Sequence, residues 1–372
     1  MLKMLKQKEA EYGESLVKSN DNNYRAKRGV VMFTEAQWKE LDYRENQFAK
    51  VFAGEKPDHV PVWFYHEELE QMRPDLLMVE KDRKAWLDNQ LKAVKTNVEE
   101  SLDGACLYYP LVEMASFYGT HYIDALFGND VQWVENQFWS KEQTCEVADL
   151  QMPDLDNSEL LKESVDLANW IKKNSPENFV ISMPDVGSPI NVAVNLFGER
   201  FFLELAMNPE VAARVLMMIG EVTRRVYQEL VDAVGQKTIR CHNAFYVYTP
   251  YDYAGLSLCA TQMISPDNYS ELVVEADDRS IPDCYKGVIQ HICGSSNQHV
   301  VGMAARERIK GVQLNDNGSD QFEDYFKAFR KDQIFYLRPT ENMPIDKILS
   351  ITKGERLLLT VTEQQAAKIE IG

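Results

Sequence analysis

Residues 287–316 read GVIQHICGSSNQHVVGMAARERIKGVQLND. Two short apolar runs, GVIQHIC at 287–293 and GVQLND at 311–316, flank a longer stretch of helical character. A third run, QIFYLR at 333–338, follows after another such stretch. Short strands separated by helices suggest parallel pairing through crossover connections. Working outward, the same alternation fills most of the chain. Further strands are expected at 59–66 (HVPVWFYH), 105–112 (ACLYYPLV), 179–186 (FVISMPDV), 237–243 (KTIRCHN) and 356–362 (RLLLTVT). Eight parallel strands with intervening helices predict an α/β fold, a closed (β/α)8 TIM barrel. An open doubly wound sheet fits less well. No GxGxxG turn follows the first strand, and GxxxxGK[ST] occurs nowhere.

The clearest helix is predicted from Pro209 to about Val234. Asn208 suits the N-cap, Pro209 the first turn and Gly235 the end. Val211, Val215, Ile219, Val222, Val226, Leu230 and Val234 form one apolar stripe. Ser265-Pro266-Asp267 opens another helix, and residues 83–102 make a third. Residues 1–44 read as a charged N-terminal helical extension. Residues 45–372 read as one barrel domain with an insertion at about 113–178.

Composition narrows the function. The 372 residues are 45% hydrophobic and 26% charged, an ordinary globular balance, and the formal net charge is −18. So acidic a chain is poorly suited to nucleic acid. Six scattered cysteines in a chain of this length point to a reducing compartment. The N-terminus has no apolar signal region, and no run of 18 apolar residues could span a membrane. A cytoplasmic protein is expected.

In a barrel the site forms at the carboxyl ends of the strands. Residues expected there include Tyr65, Tyr109, Glu113, Asp185, His242, Asn243, His291, Cys293, Arg338 and Glu363. The sharpest local feature is His291-Ile-Cys293-Gly294. Residues two apart on a strand share a face, so an imidazole and a thiolate can aim at one zinc ion. A hydrogen-bonded core histidine beside a small buried cysteine fits the same pattern. His242, one strand earlier, would stand near His291 if it points inward. A packing or hydrogen-bonding role also suits it.

Five stretches, in order, resemble the uroporphyrinogen decarboxylase superfamily, and most closely its corrinoid-dependent methyltransferase branch. They are residues 48–63 (FAKVFAGEKPDHVPVW), 185–198 (DVGSPINVAVNLFG), 208–210 (NPE), 265–269 (SPDNY) and 291–294 (HICG). The resemblance implies a (β/α)8 barrel with its active site in the mouth. In that branch a His-x-Cys pair and a later cysteine bind zinc. Here His291 and Cys293 match, but no cysteine follows Cys293, and Glu363 takes the nearest comparable place. The decarboxylase branch holds substrate carboxylates with arginines just after the first strand. This chain has Glu67 and Glu68 there, which would repel a tetracarboxylate porphyrinogen.

The resemblance therefore implies a methyltransferase of class EC 2.1.1. It would move a methyl group between a small methylated substrate and a corrinoid (cobalamin) protein, a separate partner. Zinc is the expected metal, on His291, Cys293 and Glu363. Tyr65, Glu113, Asp185 and His242 are candidate proton-handling residues, and Phe64, Tyr109, Asn243, Tyr246 and Arg338 candidate substrate contacts. Aromatic walls suit a methoxylated ring, so O-demethylation is the favoured reaction. Two rival readings are a metal-free lyase, with Arg338 anchoring a carboxylate, and a binding subunit without catalysis. A homodimer is compatible with all three.

Overall fold

The structure, a computed structural model, describes residues 32–64, 79, 82–103, 107, 109–114, 118–134, 137–176, 178–242, 247–361 and 365. Twelve strands occur among them, numbered in chain order. β1 is Val62–Phe64, β2 Leu111–Val112, β3 Val131–Val134, β4 Gln137–Ser140, β5 Val180–Ser182 and β6 Ile239–His242. β7 is Val247–Tyr248, β8 Tyr253–Ser257, β9 Gly287–Ile292, β10 Ile309–Leu314, β11 Ile334–Leu337 and β12 Leu357–Val361. One sheet has the order β1-β12-β11-β10-β9-β8, with every pairing parallel. A second has the order β2-β5-β6-β7. Single parallel bridges, Trp63 to Leu107 and Gly187 to Ser257, join the two sheets. Followed through these bridges, eight strands form a ring: β1, β2, β5, β8, β9, β10, β11 and β12. β9 and β12 are buried along their whole length, as parallel strands covered on both faces should be.

The fourth member of the ring differs from expectation. The run at 237–243 does form β6, parallel to β5, but it then turns back antiparallel into β7. The strand that meets the carboxyl end of β5 is β8, where Ser188 N–H donates to Ser257 O (2.8 Å). Its sequence, YAGLS, has a central glycine and no β-branched residue, so propensity gave little signal. Pairing on both sides supplies what the side chains do not.

Six helices matter for the argument. α1 is Glu35–Ala53, α2 Arg83–Asp103, α3 Glu159–Asn174, α4 Pro189–Phe197, α5 Pro209–Val234 and α6 Val274–Ser280. α1 starts at a capping box between Thr34 and Gln37 and ends at Gly54 in the left-handed region (φ 76°). It puts Phe48 against Trp63 and Tyr248, and Phe52 against Tyr253 and Tyr336. The helix thus closes the amino-terminal end of the barrel. α5 has the predicted limits, and its stripe packs on α3, α4 and α6. Asn208 sits at its N-cap but makes no side-chain capping bond. Between β2 and β5 lie the β3–β4 hairpin and α3. Among the described residues no helix is long and apolar enough to cross a membrane.

Candidate active site

Three adjacent strands carry the site. β9 ends at Ile292, so His291 and Cys293 stand at its carboxyl end. β8 lies beside β9, with Ser257 opposite His291. Two residues beyond β8, Cys259 opens a short 3-10 turn. The ligand atoms of Cys259, His291 and Cys293 all lie within 4.8 Å of one another, and the two sulfurs are 2.9 Å apart. Tetrahedral zinc would space such donors about 3.4–3.8 Å apart. Side-chain shifts of about 1 Å would close the set on one ion, and its softness suits two thiolates and an imidazole. The third donor of this cluster, Cys259, comes from upstream, where sequence reasoning had looked only downstream.

The surroundings hold these donors in place. β10 brings Gln313 into register with His291. His291 Nδ1 is 2.7 Å from Gln313 Oε1, an oxygen that can only accept. A neutral His291 that donates from Nδ1 to this oxygen would ligate a metal through Nε2. Gln313 Nε2 in turn reaches Asn315 Oδ1 at 3.5 Å, and both side chains are buried. Asn191 of α4 accepts from Ala260 N–H (2.8 Å) and fixes the turn that carries Cys259. Gly294 leaves room for Gln262, whose Oε1 would stand 2.2 Å from any Cβ there.

Charge is arranged unevenly. A hydrogen bond from the Cys259 thiol, helped by His291, pulls the Cys293 thiol down to about 5. The same bond, together with burial, pushes Cys259 up. One proton is thus shared by the sulfur pair, with Cys293 the thiolate. Two carboxylates stand near. Asp185, buried past β5, accepts from Ser257 Oγ–H at 3.3 Å, and its charge is felt at Cys259. Asp316 follows β10 with left-handed backbone (φ 48°), which aspartate tolerates, and its charge is felt at Cys293.

Of the other expected site residues, Glu113 and Arg338 also stand at carboxyl ends of strands. Glu113 ends β2 half-buried, its backbone bracketed by the side-chain amide of Gln90 (2.9 and 3.0 Å). Arg338 follows β11 half-buried, and its N–H bonds Leu314 O. Tyr109 was expected in the mouth, but its buried ring packs 5.5 Å from Tyr248, in the neighbourhood of Glu45 and Arg240. That is the end closed by α1. The backbones of Phe64 and His242 lie in β1 and β6, and their side chains fall outside the description. Tyr65, Asn243, Tyr246 and Glu363 lie outside the described residues. Cys259 and Gln313 had no motif to mark them, whereas Asp316 was expected at a strand end, closing the run at 311–316. Only the pairing of β8 and β10 with β9 brings them to the site.

Comparison with known proteins bears on this geometry. A family model described as uroporphyrinogen decarboxylase (URO-D) matches residues 44–331. A search of curated proteins finds no match. Among solved structures, a methyltransferase from Methanosarcina mazei is similar with a TM-score of 0.56. It is 14% identical, with 85% of this chain and 92% of that one covered. A structure from Listeria monocytogenes, described as a candidate vitamin-B12-independent methionine synthase, is 15% identical with a TM-score of 0.45. There 84% of this chain and 91% of that one are covered. At these identities the likeness is one of fold.

Proposed function

The chain belongs to the uroporphyrinogen decarboxylase family, and from that premise we propose that it is a methyltransferase. It moves a methyl group between a small methylated substrate, a methoxylated aromatic, and a corrinoid carried by a separate protein. The observation that carries this reading is the convergence of Cys259, His291 and Cys293 at the carboxyl ends of β8 and β9. Two sulfurs and an imidazole nitrogen suit zinc better than they suit a carboxylic acid. A bound zinc would supply a Lewis acid for the leaving oxygen of a methyl ether.

The chain's own residues then have distinct tasks. Gln313 holds the His291 tautomer that can ligate. Asn191 positions the Cys259 turn. Asp185, which accepts from Ser257 Oγ–H, is proposed as a proton-handling group. Glu113, Tyr65 and His242 are proposed as further proton-handling groups. Phe64, Asn243, Tyr246 and Arg338 are proposed as substrate contacts.

Metal analysis of protein purified without a chelating tag tests the reading. One zinc per chain is expected, lost in Cys259→Ala and in a His291→Ala, Cys293→Ala double variant. Methoxylated aromatics with a reduced corrinoid protein should then yield the demethylated phenol. Protein without zinc that releases carbon dioxide from a small acid would instead establish the lyase reading.

A further inference from the structure

We propose that Cys259 and Cys293 form a redox-modification site that controls metal binding: a peroxide converts the two thiols to a disulfide, and a dithiol restores them. The effect on metal binding rests on the methyltransferase reading, whereas the disulfide itself does not.

The two sulfurs are 2.9 Å apart. A disulfide needs about 2.05 Å, and donors that share one tetrahedral zinc need about 3.4–3.8 Å. The pair therefore stands between the two arrangements, less than about 1 Å from either. Backbone register explains the approach. Ser257 of β8 pairs with His291 of β9, and one residue later Leu258 N–H still bonds His291 O (2.9 Å). Cys259 and Cys293 each follow this pair by two residues, so they emerge side by side. Neighbouring strands run about 4.8 Å apart, a spacing that a disulfide spans. The turns that follow are held as well. Asn191 Oδ1 accepts from Ala260 N–H (2.8 Å), and Gln262 packs on Gly294, where a Cβ would stand 2.2 Å from its Oε1. Small side-chain rotations are then enough to bring the sulfurs to bonding distance. Both cysteines are partly exposed, which admits an oxidant as small as hydrogen peroxide. Cys284 is more exposed, but among the described residues no second thiol bonds it.

The step balances with one peroxide. One sulfur attacks a peroxide oxygen: an S–O bond forms, the O–O bond breaks, and the departing oxygen leaves as water with the thiol proton. The other sulfur then attacks the first: the S–S bond forms, the S–O bond breaks, and hydroxide leaves with the second thiol proton as water. The two sulfurs together lose two electrons, and the peroxide is reduced to two waters. The thiolate is the form of cysteine that ligates metal. The oxidised chain therefore keeps His291 alone of the three donors, too few for a zinc site.

The test uses dilute full chain, stripped of metal and reduced, then treated with one equivalent of hydrogen peroxide and digested without reductant. Mass spectrometry should find the Cys259 and Cys293 peptides joined and lighter by two hydrogens than their sum, with fragmentation placing the bond at these residues. Dithiothreitol should separate them. Zinc uptake should be lost in the oxidised chain and return with dithiothreitol, and neither readout needs a variant. In Cys259→Ser, peroxide should instead carry Cys293 to its sulfinic acid. Joined peptides in a chain whose reduced form takes up no zinc would uphold the disulfide and overturn the metal reading. Separate peptides in the parent with Cys293 oxygenated, a bond that dithiothreitol leaves intact, or zinc uptake unchanged by the bond would each overturn the proposal.

Discussion

At the scale of single residues, two titrations can be read from position alone. Cys293 is a thiolate at neutral pH because Cys259 donates to it and His291 stands beside it. In metal-stripped protein, iodoacetamide should therefore label Cys293 rapidly down to about pH 5–6. Cys259→Ala removes the donor, so the thiol pKa should rise and labelling at pH 6 should fall about tenfold. Peptide mass spectrometry across pH gives the profile, and an unchanged one would transfer the effect to His291. Asp277 of α6 behaves in the opposite sense. Burial pushes it up to about 7, against the pull of Arg306 at 3.2 Å. The folded state then keeps a proton that the unfolded chain gives up above its ordinary carboxylate range. Stability should fall as pH rises from about 4 to 7 and level off above that. Urea unfolding at several pH values measures the slope, and Asp277→Asn should flatten it.

At the scale of elements, the ring depends on how closely its strands approach. Gly311 of β10 shows this most sharply. A Cβ there would stand 2.2 Å from the backbone oxygen of Ile334 in β11. Backbone in a paired strand cannot move aside as a side-chain tip can. Gly311→Ala should cost about 3 kcal/mol, the upper end for overpacking, seen as a lower urea midpoint. Because β10 also carries Gln313, the same variant should disturb the His291 tautomer and weaken metal binding. The segment at 269–273 is wound as a π-helix between the short helix Pro266–Asn268 and α6. Its first residue, Tyr269, accepts at its hydroxyl oxygen from Arg306 Nη1 (2.9 Å), which ties this turn to the buried Arg306–Asp277 contact.

At the scale of the whole molecule, the three sulfur and nitrogen donors join segments 34 residues apart or less in sequence, but they sit on two neighbouring strands of one ring. A ligand held there favours the folded state by mass action. Free zinc about a thousandfold above its dissociation constant adds about 4 kcal/mol. Saturation with zinc should raise the thermal midpoint by several degrees, and chelation should reverse it. The His291→Ala, Cys293→Ala variant should show neither change. A scan with and without chelator reads this directly, and a shift that survives in the variant would place the metal elsewhere.

The sequence by itself determined the architecture and one half of the site. Alternating apolar runs and helical stripes follow from backbone periodicity, so β9, β10, β11, β12 and α5 are legible with nearly their final limits. His291 and Cys293 are legible as a pair because a strand places alternate residues on one face. Family motifs along residues 48–294 pointed to the right superfamily, which the match over residues 44–331 bears out. Tertiary structure alone decided that β8 replaces the 237–243 run in the ring. It alone brought Cys259 to the pair, and it sent Tyr109 to the opposite end of the barrel. The reason is the same in each case. Local pattern records which way a side chain points along its own strand, whereas the neighbour it meets is set by sheet order and register, which are fixed by hydrogen bonds to distant segments.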